Sequence, residues 1–203
     1  VGMMNPMYMP RIKEKLIESF DNEKIFKFIH IPVQSGSDKV LNDMKRGHTA
    51  GTFRDIVQKI KERFSEFTIS TDIIVGFPSE TEEDFQKTVS LLDEIKPDVV
   101  NLSRYSARPG TDAAELKQID DAESKRRSKI VFEQISKLSI ESNKKWIGWK
   151  GKVLFDEKTD EGIKGRNFAY KPIAVNEPVE LGQSYTVEIT DATVKRLIGK
   201  IAS

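Results

Sequence analysis

Apolar residues in the first 145 positions follow two alternating rhythms. Ile12, Leu16 and Phe20 recur at helical spacing and predict a helix over Pro10–Phe20. The compact run Phe26–Ile31 predicts a strand that Pro32 ends. Val33–Ser37 reads as a turn or loop, and Asp38–Lys45 as a short helix presenting Val40, Leu41 and Met44. Phe53, Ile56, Val57, Ile60 and Phe64 stripe one face of a helix over Thr52–Phe64. Phe67–Val75 is a nearly continuous β-prone run, broken by Gly76 and Pro78. The next helix opens at Ser79-Glu80-Thr81-Glu82, where Ser79 or its neighbour is the expected cap. It buries Phe85, Val89, Leu92 and Ile95 before Pro97 ends it. Asp98–Leu102 is another short strand. Asp120–Lys144 is a long charged helix with Ile130, Val131, Ile135 and Leu138 toward a core. Val1–Met4 reads as the stub of a further strand, which makes about four strand–helix units.

Strands alternating with helices imply a parallel sheet, and apolar strands imply that both its faces are covered. A closed (β/α)₈ barrel needs about 250 residues, so an open sheet or partial barrel is expected here. Near Trp146 the rhythm changes. Trp149–Phe155, Gly162–Asn167, Tyr170–Val175, Ser184–Thr190 and Val194–Ile201 are short β-like segments separated by Gly, Asn, Asp and Pro. They predict a five-stranded barrel of the OB kind. The expected organisation is therefore an α/β unit over 1–145 and a small β-barrel over 146–203.

Composition narrows the chemistry. The chain has 33 basic and 32 acidic residues and an ordinary apolar content of 37%, which argues against disorder. No apolar stretch is long enough to span a bilayer, and the short methionine-rich start lacks a basic leader. Residues 144–203 carry 11 Lys/Arg against 8 Asp/Glu, a bias that fits a polyanion partner. There is no cysteine, so no disulfide and no cysteine-held zinc or iron–sulfur cluster belongs to this sequence. His30 and His48 do not make a metal site by themselves. The expected compartment is the cytosol.

Three loops that follow strands are candidate ligand sites, because that edge of a parallel sheet is where ligands bind. In the first, Gln34, Ser35 and Ser37 supply hydrogen-bonding groups around Gly36. The alternative is a helix-capping turn beside a packed His30. In the second, Gly76 admits a flat ligand to the strand end, Phe77 offers a face to an adenine, and Pro78 stiffens the turn. The alternative is a plain strand exit with a helix cap. Asp72 is the odd member there, a carboxylate in an apolar strand. In the third, Arg108-Pro109-Gly110-Thr111 offers a guanidinium to a phosphate or carboxylate, or is a surface turn. In the tail, Lys164, Arg166, Phe168, Tyr170 and Lys171 combine charges for phosphates with rings for bases. The alternative is a strand pair with solvated lysines and core aromatics.

Several motifs stand together in one order: Gly2-Met3-Met4-Asn5-Pro6, His30 to Ser37, Leu41 with Met44-Lys45-Arg46, Ser70 to Phe85, and Tyr105 to Thr111. Gly165-Arg166, Tyr170-Lys171-Pro172 and Leu197-Ile198-Gly199 close the series. The chain resembles a methylthiotransferase of the radical-SAM superfamily, from the branch that modifies threonylcarbamoyladenosine beside the tRNA anticodon. The resemblance covers essentially the whole chain, with Ser79 standing where the family commonly has Gly. It implies the later strands of a partial radical-SAM, TIM-like barrel, followed by a TRAM domain. It also implies S-adenosylmethionine and two [4Fe–4S] clusters in the complete enzyme, held on cysteines upstream and none ligated here. The implied reaction forms a deoxyadenosyl radical, which abstracts the adenine C2 hydrogen so that a methylthio group is inserted.

By the same resemblance Gln34, Ser35, Ser37, Ile74, Gly76, Phe77 and Pro78 line the S-adenosylmethionine pocket. Arg46 and Arg108 face substrate or cofactor, and Lys164, Arg166, Phe168, Tyr170 and Lys171 contact tRNA. No catalytic residue is assigned. The expected partners are tRNA and the N-terminal portion of the same polypeptide, with no membrane. An uncovered sheet edge also predicts dimerisation or strand exchange. The chain alone is expected to be inactive. Alternatives are a non-catalytic RNA-binding module and a ribosomal-protein methylthiotransferase.

Overall fold

The computed structural model describes residues 2–159 and 162–202. A 3₁₀ turn over Pro6–Tyr8, capped by the Asn5 side chain, leads into α1 (Met9–Ser19). Then follow β1 (Phe28–His30), α2 (Asp38–Asp43), α3 (Ala50–Arg63), β2 (Thr68–Val75), α4 (Glu82–Ile95), β3 (Val99–Arg104), the short α5 (Asp112–Glu115) and α6 (Asp121–Lys144). The three strands form one parallel sheet in the order β1-β2-β3, with His30 opposite Ser70 and Asp72 opposite Asn101. The expected fourth strand is absent among the described residues. The segment before Pro6 contributes one ladder-like bond, from Met4 N to His30 O at 2.8 Å.

The helices pack on one face of the sheet. Ile69, Ile73 and Val75 of β2 meet Phe53, Ile56 and Ile60 of α3, Phe85, Leu91 and Leu92 of α4, and Val131 and Ile135 of α6 in one core. The other face is covered only in part: Thr68 and Ser70 are buried on it, whereas Asn101 and Ser103 are exposed, which corrects the expectation of two covered faces. Its strand positions mix polar groups with the apolar Phe28, Ile74 and Val99: Asp72 interrupts β2, and β3 exposes Asn101 and Ser103 while Val100 and Leu102 turn inward.

The helix caps explain two turns. Thr81, not Ser79, caps α4: its side chain accepts from Asp84 N, and the Asp84 side chain returns to Thr81 N. The Ser79 hydroxyl donates instead to Asp43 at the end of α2. A left-handed Lys96 ends α4 just before Pro97.

All five predicted tail strands are present: β4 (Lys150–Thr159), β5 (Gly162–Arg166), β6 (Pro172–Val175), β7 (Ser184–Ala192) and β8 (Leu197–Ile201). They close into a barrel in the order β4-β5-β6-β8-β7, with β6 and β8 parallel and the other pairs antiparallel. Trp146, Val153, Phe155, Ile173, Val187, Ile189 and Leu197 fill it. The barrel is bolted to the α/β unit. Lys27 N donates to Phe168 O, Asn143 Nδ2 to Thr193 O, and the Lys171 ammonium to Asp98, Ser142 and Asn143.

Candidate cofactor and substrate cavity

The C-terminal ends of the three strands open into a cavity of about 860 Å³. Its position follows from topology, since strand ends of a parallel sheet carry loops rather than helices. Gln34, Ile74, Phe77, Arg46 and Arg108 line it, joined by Asp72, Asn101, Arg104 and Tyr105. Five residues singled out from sequence therefore meet in one place, although they come from four separate segments.

Each is set by a local device. Gln34 takes a positive φ of 67° and bridges to β2, with its N donating to Asp72 O and its O accepting from Ile74 N. That bridge carries the chain along β2 beyond Pro32. Phe77 is nearly buried and meets Tyr105 edge to face at 5.1 Å. The turn at Gly76 is held from below, where Gly76 N donates to Glu80 Oε2 at 2.8 Å and Glu80 pairs with Arg127 at 2.7 Å. Burial pushes the Glu80 carboxyl up, against the Gly76 N–H and Arg127, which favour its charged form. On the partly covered face, Asp72 Oδ1 lies 2.8 Å from His30 Nε2 and accepts from Asn101 Nδ2 at 2.8 Å.

Other predicted positions do different work. Ser35 and Ser37 are buried and face α4 rather than the cavity. Ser35 Oγ pairs with Thr88 Oγ1, and Ser37 Oγ donates to Asp84 at 2.7 Å while accepting from Val40 N as the cap of α2. Gly36 is small because its backbone lies against the Lys87 carbonyl of α4, where a methyl group would collide. Gly76 similarly abuts Ser124 of α6. Pro78 is half-buried and lies outside the cavity lining. For Ser35 and Ser37, the capping-turn alternative describes what the structure holds.

The tail residues also divide. Lys164 and Arg166 both reach Glu157, at 3.5 and 3.1 Å, and the Arg166 guanidinium lies 4.4 Å from the centre of the Tyr170 ring. Phe168 is exposed beside Trp146 and Trp149. Tyr170, at φ 62°, packs on Phe26 and Phe28 of the other unit. Lys171 is only 2% exposed, so its expected role at an RNA surface is corrected. Its ammonium joins the two units through Asp98.

The sequence gives no sign of the Asp72–His30–Asn101 row beyond an unexplained Asp72, because the pairing depends on strand register. Arg104, which also lines the cavity, carries no local sequence signal and pairs with Asp121 at 2.7 Å. Among the described residues, no three potential ligand side chains gather to hold a metal ion, and no helix is long and apolar enough to cross a membrane.

The fold and cavity define a class: a three-stranded parallel unit with its ligand cleft at the strand ends, followed by an OB-like barrel. Comparison with known proteins carries this further. The Radical SAM superfamily matches residues 1–92. A probable threonylcarbamoyladenosine tRNA methylthiotransferase from Archaeoglobus fulgidus is 44% identical over 100% of this chain and 48% of its own length. One of the same description from Methanocaldococcus jannaschii is 45% identical over 99% of this chain and 46% of its own. A tRNA-2-methylthio-N(6)-dimethylallyladenosine synthase from Magnetococcus marinus is 35% identical over 94% and 45%. Among solved structures, Escherichia coli coproporphyrinogen III oxidase, a radical SAM enzyme, has a TM-score of 0.48 and 16% identity over 98% of this chain and 57% of that one. Along essentially its whole length the chain is thus similar to these tRNA methylthiotransferases, and its first 92 residues match the Radical SAM superfamily. It spans about half the length of the curated relatives it matches.

Proposed function

We propose that this chain is the C-terminal half of a tRNA methylthiotransferase that places a methylthio group on C2 of threonylcarbamoyladenosine near the anticodon. One observation carries the reading: identity of 44% along the whole chain to a relative of that description, with Gln34, Ile74 and Phe77 gathered at one cavity. In this proposal residues 1–145 form the later part of the radical-SAM unit and 146–203 the TRAM domain. The reaction is cytoplasmic, and the clusters sit on cysteines outside this chain.

The cavity suits S-adenosylmethionine in chemistry. Ile74 and Phe77 offer an apolar shelf to an adenine, and the buried Nε of Arg46 has no hydrogen-bond partner among the described residues. Bound S-adenosylmethionine supplies the methyl group and, after reductive cleavage, the radical. The residues of this chain hold and orient. Gln34 fixes the edge of the pocket, Phe77 and Tyr105 close it against water, and the Glu80–Arg127 pair keeps the Gly76 turn rigid. Lys164, Arg166, Phe168 and Tyr170 are the proposed RNA grip. An uncovered edge of the three-stranded sheet remains the proposed route to dimers or strand exchange in the chain taken alone.

The test uses the full-length polypeptide with reconstituted clusters. It is given tRNA carrying threonylcarbamoyladenosine, and digested nucleosides are read by mass spectrometry. A product heavier by one methylthio substitution is expected. Methylthiolation of a ribosomal protein instead, or tRNA binding with no turnover by the full-length protein, would overturn the reading.

A further inference from the structure

Lys164 and Arg166 stand two residues apart on β5, so both belong to the outer face of the barrel. Gly165 between them lies opposite the buried Phe155. Simple alternation along β4 would not bring a carboxylate to these two cations. Val153 and Phe155 are buried in the barrel and Leu154 faces out, so a regular strand would turn Glu157 inward with Phe155. The register shifts between Phe155 and Glu157 instead. Leu154 lies opposite Arg166 and Phe155 opposite Gly165, but Glu157 lies opposite Lys164. This bulge re-aims Glu157 onto the outer face. There one carboxylate oxygen lies 3.5 Å from the Lys164 ammonium, and the other accepts from Arg166 Nη2 at 3.1 Å.

The bland use of such a cluster is to join two strands, and exposed ion pairs do that weakly. Arg166 does not need the carboxylate to stay in place either. Its guanidinium lies 4.4 Å from the centre of the Tyr170 ring. That ring is set by the left-handed backbone of Tyr170 and by its packing on Phe26 and Phe28. What Glu157 does supply is charge, since it stands against both cations at once. Its hold is also loose: the Glu157 side chain is 44% exposed and meets Arg166 through Nη2 alone. A phosphate that accepts from two prongs of the guanidinium binds it better than this single contact.

We propose that Glu157 is a built-in counter-ion, which occupies Lys164 and Arg166 in the free protein and is displaced by a backbone phosphate of bound RNA. The proposal rests on the RNA grip put forward above. Every polyanion that uses these cations must first displace the carboxylate, so Glu157 lowers the affinity of all of them. A ligand that offers charge alone then binds too weakly to be held, whereas RNA that also stacks on the neighbouring Phe168 is retained. The carboxylate thus makes capture by charge conditional on contact with a base.

The test compares full-length wild-type protein with Glu157→Gln, in the native sequence and in a Lys164→Ala/Arg166→Ala background. Affinity for tRNA is read by fluorescence anisotropy over a range of salt concentrations, and the urea midpoint is read alongside. Glu157→Gln is expected to tighten tRNA binding roughly 3- to 10-fold at low salt. It should steepen the slope of log affinity against log salt by up to about 1. The gain should vanish in the background without the two cations, and the midpoint should hold. Equal or weaker binding by Glu157→Gln with an unchanged midpoint overturns the counter-ion alone. So does an equal gain in the cation-free background, which would mark a general effect of net charge. Absence of tRNA binding by the wild type and by Glu157→Gln at low salt overturns the RNA reading together with the counter-ion.

Discussion

The Lys171 ammonium lies 2.9 Å from Asp98 Oδ1, with both side chains largely out of solvent, and so connects the β-barrel to the start of β3. Ser142 and Asn143 complete its shell. Replacing one member of a buried pair strands the other charge and costs about 3 kcal/mol. Lys171→Met is therefore expected to lower the urea midpoint clearly, followed by the fluorescence of Trp146 and Trp149 near the junction. A midpoint equal to wild type would show that the pair carries no stability.

Asp84 gives the fold an acid-sensitive joint. Burial acts against its charged form. Hydrogen bonds from Ser37 and Thr81, with Lys39 nearby, outweigh burial and hold the carboxyl down at about 2, against an ordinary 3.8. Its folded pKa lies below the unfolded one, so its contribution is complete above about pH 4 and is lost as pH falls toward 2. The shift corresponds to about 2 kcal/mol. Asp84→Asn should lose about that much at pH 7 and show a flatter fall in stability between pH 4 and 2. Parallel acid titrations of the two proteins, followed by circular dichroism, would contradict this.

Gly36 sets the distance between the cavity loop and α4. A methyl group there meets main-chain atoms of Lys87 and Thr88, which cannot swing away as a side chain could. Overpacking against backbone costs about 3 kcal/mol. Gly36→Ala is expected to lower Tm measurably and to weaken S-adenosylmethionine binding by the full-length enzyme through Gln34, two residues earlier. An unchanged Tm would mean that the loop tolerates a wider gap.

The proposed RNA grip contains two kinds of contact with different salt responses. Phe168→Ala should weaken tRNA affinity by about 1–3 kcal/mol and leave the salt dependence unchanged, as loss of stacking does. Lys164→Ala should reduce the slope of log affinity against log salt by about 1. Fluorescence anisotropy over a range of salt concentrations separates them. Equal slopes in Lys164→Ala and wild type would remove Lys164 from the grip.

Much of the fold was legible because its signals are local. Phe53 to Phe64 and Phe85 to Ile95 declare their helices by spacing, and Gly, Asn and Pro mark off the five barrel strands. The partly covered sheet face was not legible, since Val99–Arg104 looks apolar until register assigns alternate residues to opposite sides. The cavity was half legible. Arg46, Phe77 and Arg108 are of types that bind ligands, and they do meet. Ser35 and Ser37 are equally polar, but their partners Thr88 and Asp84 lie about fifty residues away, beyond what a single loop reveals. Lys171 failed for the same reason: a lysine in a basic cluster gives no hint that Asp98 waits across a domain junction.

Closure of the barrel also has a kinetic meaning. Its first strand, at Lys150, pairs with a strand that begins only at Ser184, and Pro172–Val175 pairs in parallel with Leu197–Ile201, from which β7 separates it in sequence. Such non-local pairings must overcome loop-closure entropy before they gain contacts, so they form late. The helices and parallel strands precede them in the chain and can serve as the surface on which the ring closes. Contacts across the junction then belong to the last stage of folding. Their loss should speed unfolding far more than it slows refolding.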